Sequence, residues 1–538
     1  MNENARELDR RTALKGIGAV AGSAALAGCA GVVGGSGDGE QLRYAQVLTP
    51  VSLDPIAVDD PWSGQVQSLI FEGLYTYDYG MNLVPVLANG KPNQRDGGKR
   101  YAVELRDEAR FQNGKPVTAE DVKYSFEKPN QEETPPPTKW HVDAIETVKT
   151  PSKRTVEFVL EHPYPGVEHA LTRPVVPKSV REKNPKAFGT KTTIGSGPYR
   201  LDRFKPGKYA TLTSWDDHWR SRGGTIPRAK FVPNHAGLAR TMSLKTGQND
   251  IVERIQPKLW GPTQHFPDST VVSSESYHYH FVGFNCSSGT PTAKPKVREG
   301  IDALVSMDEL VKHVVEPSGR RQYGPLPRQV AEAWNVPVEE WKKIPKKKSH
   351  HEAKKLIKEE AGVKSWSPKI AVPGTKSSGD KMREKIAETI VHGLKKLGFR
   401  KARTQKYPWP KFRELVTNGD QGNYAMFVGS WAGYPDPDTF LYPLFHSNNE
   451  GLTNGTYYRD ESLMEDIEAA RRTTNREKRE RLYEKSIRTV LEQRVHLPAY
   501  TLHNSFGVKN RISGFRPHPV SQFNPRLVGP DGSVSLRE

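Results

Sequence analysis

The stretch with the densest chemistry is Gly429-Ser430-Trp431-Ala432-Gly433-Tyr434-Pro435-Asp436-Pro437-Asp438, where two large aromatic rings stand beside two carboxylates. A carboxylate so placed can anchor a cationic group through charge-assisted hydrogen bonds, and the rings can floor a cleft. A structural reading is also open: Asp-Pro-Asp starts helices, and Trp431 and Tyr434 suit a core. Histidines raise the question of a metal. His278 and His280 share one face of a strand, and His350-His351 lies in a basic segment, but neither pair has the acidic or Cys partners of a metal site. His351-Glu352 lacks the second His of a zinc-protease helix. Gly195-Ser196-Gly197 is no nucleophile elbow, because Ile194 stands where that turn needs Gly. The two cysteines are Cys29 and Cys286, and Cys286 reads as a small buried or loop residue. With no nucleophile–base set in view, no catalytic residue, cofactor or resident metal is expected.

The elements that must position the candidate loop follow from periodicity. Tyr424 to Val428 reads as the preceding strand. Tyr277 to Asn285 is aromatic and β-prone; Asn285 at its end can pair with a ligand backbone, and Tyr279 is a weaker cleft candidate. Val297, Ile301, Leu304 and Val305 fall at helical spacing, and Ser306-Met307-Asp308-Glu309 is a capping box opening a second helix. Earlier, Leu42 to Val47 is a strand, and Trp62 to Leu74 a helix with Trp62, a further candidate, at its start. Tyr101 to Arg106 and Thr155 to Leu160 alternate as half-buried strands. Thr118-Ala119-Glu120-Asp121 caps a helix with Val122 and Phe126 inward. Later, Ala353, Leu356 and Ile357 mark a basic helix, Lys369 to Val372 a strand, and Met382, Ile386, Ile390, Leu394 and Leu397 an amphipathic helix closed by Gly398. Tyr407 and Trp409 are placed in an extended Pro-rich loop facing the cleft. Two late helices, marked by Leu463, Ile467, Ala470 and by Leu482, Ile487, Val490, Leu491, precede a strand from Leu497 to Val508. Strand, helix, strand implies an α/β lobe.

Composition bounds the function. Over 538 residues, hydrophobic residues are 35% and charged residues 26%, the balance of a soluble, core-forming chain. No apolar run in the body approaches the ~18 residues that span a bilayer. The net charge is +18, yet Lys and Arg are spread along the chain instead of gathered in a tract with interleaved aromatics, so nucleic acid is not an expected partner.

Two addresses stand at the N-terminus. Asp9-Arg10-Arg11-Thr12-Ala13-Leu14-Lys15 resembles a twin-arginine export motif, and Leu26-Ala27-Gly28-Cys29 resembles a lipobox with Cys29 as the lipidated residue. The expected segments are a signal peptide over 1–28 and a Gly-rich tether over 29–40.

The body resembles the extracellular solute-binding proteins of family 5, the dipeptide, oligopeptide and nickel binders of ABC importers. The resemblance runs through Leu53-Asp54-Pro55, Ile70-Phe71-Glu72-Gly73-Leu74-Tyr75, the block from Leu105-Arg106 through Phe111, Gly114 and Thr118-Ala119-Glu120-Asp121-Val122 to Ser125-Phe126, Gly195-x-Gly197-Pro198-Tyr199, and Leu497-Pro498. It implies a two-lobed periplasmic-binding-protein type II (class C) α/β fold, with an extra subdomain in lobe I. Lobe I would cover 41–280 with that subdomain at about 60–190, lobe II 281–498, and 499–538 would return to lobe I around a hinge. It further implies a monomeric, lipid-anchored protein on the outer face of the cytoplasmic membrane, capturing an oligo- or dipeptide between the lobes and passing it to permease and ATPase subunits; a nickel or metal-chelate solute is the alternative. The loop at Trp431 resembles the family's Trp-x-x-Asp-Tyr-x-Asp-Pro segment, whose first Asp holds a peptide's amino group. Here Gly433 occupies that place, leaving Asp436 or Asp438 to compensate. Gly300 stands mid-helix where the family commonly has Ala, at a helix-propensity cost of about 1 kcal/mol.

Overall fold

One strand, His496–Lys509, is shared by both halves of the molecule. The computed structural model describes residues 40–537 apart from 49, 59, 132–138, 221–223, 345–348, 362–365, 375–380, 420–423 and 531. The export motif, Cys29 and nearly all of the tether lie outside the described residues.

The first part of the shared strand pairs antiparallel with His278–Phe284, in a register that sets Gly283 against His496 and His280 against Tyr500. His278–Phe284 pairs on its other edge with Met426–Ala432. Lys369–Pro373 joins Met426–Ala432 in parallel and carries Arg403–Tyr407, also parallel. The later part of the shared strand pairs with Ile251–Glu253 and Ser269–Glu275. Beyond Ile251–Glu253 come Gln41–Gln46, Arg228–Pro233, Tyr209–Ser214 and Tyr199–Lys205. The chain thus passes between halves at Ser276-Tyr277 and again inside one continuous strand.

Period-two alternation explains why the inner strands read as unbroken apolar runs: both faces are covered. Val282 and Phe284 enter a core with Val297, Ile301, Ile370, Val372, Ile386, Ile390 and Leu497. Their neighbours Tyr279 and Phe281 point into a second core with Ala371, Phe427, Phe440, Leu463 and Ile487. The amphipathic helix expected from Met382 to Leu397 is Lys381–Lys396.

A separate antiparallel sheet of four strands, Asn93–Arg95, Arg100–Glu104, Thr155–Leu160 and Ile145–Lys149, packs against helix Ala119–Gln131. The capping residue ties two segments together. Asp121 accepts from the Thr118 N–H (3.0 Å) and hydroxyl (2.6 Å), and its other oxygen accepts from the Lys178 N–H (2.9 Å).

Gly300 is explained by helix packing. A Cβ there would lie 2.5 Å from Cγ1 of Ile357 and 3.0 Å from the Ala353 carbonyl oxygen, on the neighbouring helix His350–Ala361. Contact this close leaves no room for a methyl group, so overpacking outweighs the ~1 kcal/mol that Ala offers a helix. Gly300→Ala is expected to destabilise the fold by about 1–3 kcal/mol in urea unfolding; a stabilised variant would show that the two helices separate freely.

Candidate functional site

Met426–Ala432 is longer than the strand expected at Tyr424 to Val428, because its register against His278–Phe284 runs out to His278 opposite Ala432. Gly429, Ser430 and Trp431 are therefore strand residues, and the turn proper is Gly433 to Pro437. Helix Asp438–Phe445 follows at once. Thr439 knits the turn: its hydroxyl accepts from the Tyr434 N–H (2.9 Å) and donates to the Asp436 carbonyl (2.7 Å). Asp436 closes it by accepting from the Asp438 N–H (2.9 Å). Asp-Pro-Asp is a helix-initiating turn.

Both carboxylates are held by arginines of the late helices. One Arg479 nitrogen lies 2.9 and 2.8 Å from the two oxygens of Asp436, and His169 lies 3.8 Å away. Burial alone would raise the Asp436 carboxyl, but Arg479 and His169 outweigh it and hold the group well below the usual carboxylate range. Asp438 is fully buried, accepts from the Tyr164 hydroxyl (2.7 Å), and pairs with Arg471 at 3.2 Å. Arg471 also reaches Asp143 at 3.3 Å. Burial raises Asp438 despite Arg471, and the neighbouring Asp436 charge adds to the rise.

Gly433 has a steric cause. A Cβ there would lie 2.5 Å from the ring of the buried Phe440 and 2.8 Å from the Thr439 hydroxyl. The turn has no space for a side chain at this position.

Tyr434 is carried from this turn into a cavity of about 680 Å³, within the ~300–1,000 Å³ common for small-ligand sites. Its ring stacks on His169 at 6.0 Å and Tyr77 at 5.9 Å, meets His141 edge-on at 5.7 Å, and its hydroxyl accepts from the Gln522 amide at 3.0 Å. The Tyr77 hydroxyl in turn bonds His169 Nδ1. Burial drives the His141 pKa down to about 3, so the imidazole facing Tyr434 is neutral. The lining also includes Gln67, Glu72, Arg173, Trp219 and Arg220.

The other expected site residues lie away from this cavity. Trp431 is part-buried beside Trp140 and donates to the Thr439 carbonyl at 2.7 Å. Trp62 donates its indole N–H to Glu253 at 2.9 Å. Asn285 is fully buried, donating to the Tyr424 carbonyl and accepting from the Ser287 N–H. Tyr279 is a core residue stacked on Phe281 at 4.7 Å. Trp409, expected in an extended loop, opens helix Trp409–Thr417 and is partly exposed over Phe412. Pro410 in the helix's first turn accounts for that, since its fixed φ suits a helix start where its missing N–H breaks no bond.

His278 and His280 are buried, 6.0 Å apart, and burial lowers the pKa of both, that of His278 to about 3. Cys286 is buried, and burial pushes its thiol up to about 11, so it is protonated at neutral pH. Among the described residues no group of three or more His, Cys, Asp or Glu is arranged to hold a metal ion.

Sequence reasoning missed Tyr77, His141, His169, Arg173 and Arg220. No window of sequence contains them; even the bond from Arg526 to Thr76, at the cavity's rim, joins residues 450 positions apart.

Asp436 supplies the sharpest test of this arrangement. Replacing it with Asn leaves the Arg479 charge buried and unpaired, a loss expected at about 3–5 kcal/mol. Because its pKa is depressed in the folded state, its contribution is full above about pH 5 and is lost as pH falls through the unfolded value near ~3.9 and below. Asp436→Asn should therefore unfold at lower urea than the wild type at pH 7, with the gap narrowing below about pH 4. A gap independent of pH would contradict the assignment.

A profile of the bacterial extracellular solute-binding proteins, family 5 middle, matches residues 82–451. The chain is 27% identical over 514 residues to Protein XP55 of Streptomyces lividans, covering 92% of this chain and 89% of that one. It is 23% identical over 502 residues to the oligopeptide-binding protein AppA of Bacillus subtilis, covering 89% and 90%. The solved structure of AppA in complex with a nonapeptide superposes with a TM-score of 0.81 at 20% identity, covering 93% of this chain and 99% of that one. NikZ from Campylobacter jejuni, in complex with Ni(L-His), superposes at 0.78 with 21% identity, covering 91% and 99%. At these identities the structures show a shared fold, while the profile shows kinship: the chain belongs to family 5 of the bacterial extracellular solute-binding proteins.

Proposed function

We propose that this protein captures a peptide-like solute in the cavity at Tyr434 and delivers it to the permease of an ABC importer. The observation that carries the reading is the cavity's construction. Its walls come from residues 55–86, 106–108, 141, 169–174, 198, 218–220 and 522–530, while Tyr434 alone arrives from the strand–turn–helix of the other half. A site lined this way is completed when the two halves meet and opened when they part, which is what hinge closure on a solute requires. Kinship with AppA supports a peptide-like solute bound through backbone hydrogen bonds. No bond in the solute needs to break. In this reading residues 1–28 direct export through a twin-arginine route, Cys29 carries lipid, and the monomer works on the outer face of the cytoplasmic membrane. Lobe I spans 41–280 and 499–538, and lobe II spans 281–498.

Native mass spectrometry of gently purified mature protein is expected to show retained adducts with peptide masses. One discrete non-peptide mass, or a metal, would move the solute to another class. Cys29→Ala is expected to shift the protein from the membrane fraction to the soluble fraction; unchanged fractionation would overturn the anchor.

A further inference from the structure

The hydrogen-bonding groups around the cavity are unevenly satisfied, and the imbalance specifies the charge of the solute. Three carboxylates line it; Asp60 and Glu72 accept hydrogen bonds within the protein, and Glu108 faces an arginine. Asp60 caps helix Pro61–Ile70, accepting from the Trp62 and Ser63 N–H groups (3.1 and 2.9 Å) and from the Ser63 hydroxyl (2.6 Å). Glu72 accepts from the Trp219 indole (3.1 Å) and lies 3.6 Å from His218. Glu108 is largely exposed and sits 3.7 Å from Arg106. At the Tyr434 end there is no carboxylate among the described lining residues. Gly433 cannot hold one, Asp436 is turned to Arg479, and Asp438 to Arg471 and Tyr164.

Charged donors outnumber the carboxylates. Four arginines, Arg106, Arg173, Arg220 and Arg526, line the same cavity. Two lining residues carry a buried donor nitrogen, Nη2 of Arg220 and Nε2 of Gln67, with no acceptor among the described residues. A buried donor without a partner costs about 1–3 kcal/mol, and more when the group is charged. Burial also lowers the Arg220 pKa, with Glu72 only partly opposing, so an incoming anion relieves a strained cation. An ammonium group meets the reverse: engaged carboxylates, and at Tyr434 a neutral imidazole and the Arg173 charge.

Resting on the peptide-like reading, we infer that the solute presents a carboxylate to Arg220 and Gln67 and needs no free amino group. N-acylated peptides and other amine-blocked carboxylic acids are the class that fits.

The test is calorimetric titration of the mature protein with two pools of matched short peptides, one N-acetylated with a free carboxylate, the other with a free amine and a C-terminal amide, and with tricarballylate as a non-peptide polycarboxylate. The acetylated acids are expected to bind, with affinity falling as salt rises, and the amine-bearing amides to bind at least about tenfold more weakly. Arg220→Gln and Gln67→Leu should each weaken the acids about 10- to 100-fold. Gln67→Leu removes an unpartnered donor, so its ligand-free melting temperature should not fall, which separates loss of binding from loss of fold. Preference for the amine-bearing amides, or acid binding unchanged in both variants, would overturn the inference while leaving peptide capture standing. Binding of tricarballylate with no peptide bound would retain the anionic site and overturn the peptide reading. No binding by any probe would overturn both.

Discussion

Two arginines on neighbouring helices, Arg471 and Arg479, hold the Asp436-Pro437-Asp438 turn, and the wall of the cavity depends on that hold. A buried ion pair is weak evidence of net stability, since desolvation of both partners offsets much of the attraction. Its effect here is positional. Arg479 fixes Asp436, Asp436 fixes the first turn of helix Asp438–Phe445, and the turn in front of it presents Tyr434. Arg471 extends the same chemistry to Asp143, and Asp438 to Tyr164, so the first half of the chain is bonded to the second through the charges that shape the turn.

This arrangement recasts the missing carboxylate. By its resemblance the turn carries Gly433 where an Asp would meet a peptide's amine, and Asp436 and Asp438, three and five residues on, are the acidic groups that could stand in for it. Both are instead consumed inside the protein. The loss and the packing of Phe440 against Gly433 are one fact: a side chain at 433 and that ring cannot occupy the same space.

Much of the fold was legible because period and kinship agreed. Thr155–Leu160 matches its alternation, the helix from Met382 to Leu397 matches its apolar stripe, and the late strand lies where Leu497 to Val508 placed it. Boundaries failed where a tertiary partner decided them. Trp431, beyond the strand expected to end at Val428, is held in it by pairing with His278–Phe284. The site was legible only at Tyr434. Aromatic residues in a core and in a cleft look alike in sequence, as Tyr279 and Tyr434 show, and the arginines and histidines of the cavity carry no local pattern. Gly300 is similar in kind: its cause lies on another helix, which no window around it contains.

The shared strand has a consequence for how the chain is made. His496–Lys509 is the pairing partner of His278–Phe284 along its first part and, on its two edges, of Ile251–Glu253 and Ser269–Glu275 along its later part. During synthesis those three edges exist before their partner does, and unpaired edges are templates for aggregation. Neither half can close its sheet alone, so both must wait for the same late segment. The two halves therefore mature together, in a single late step that depends on one segment.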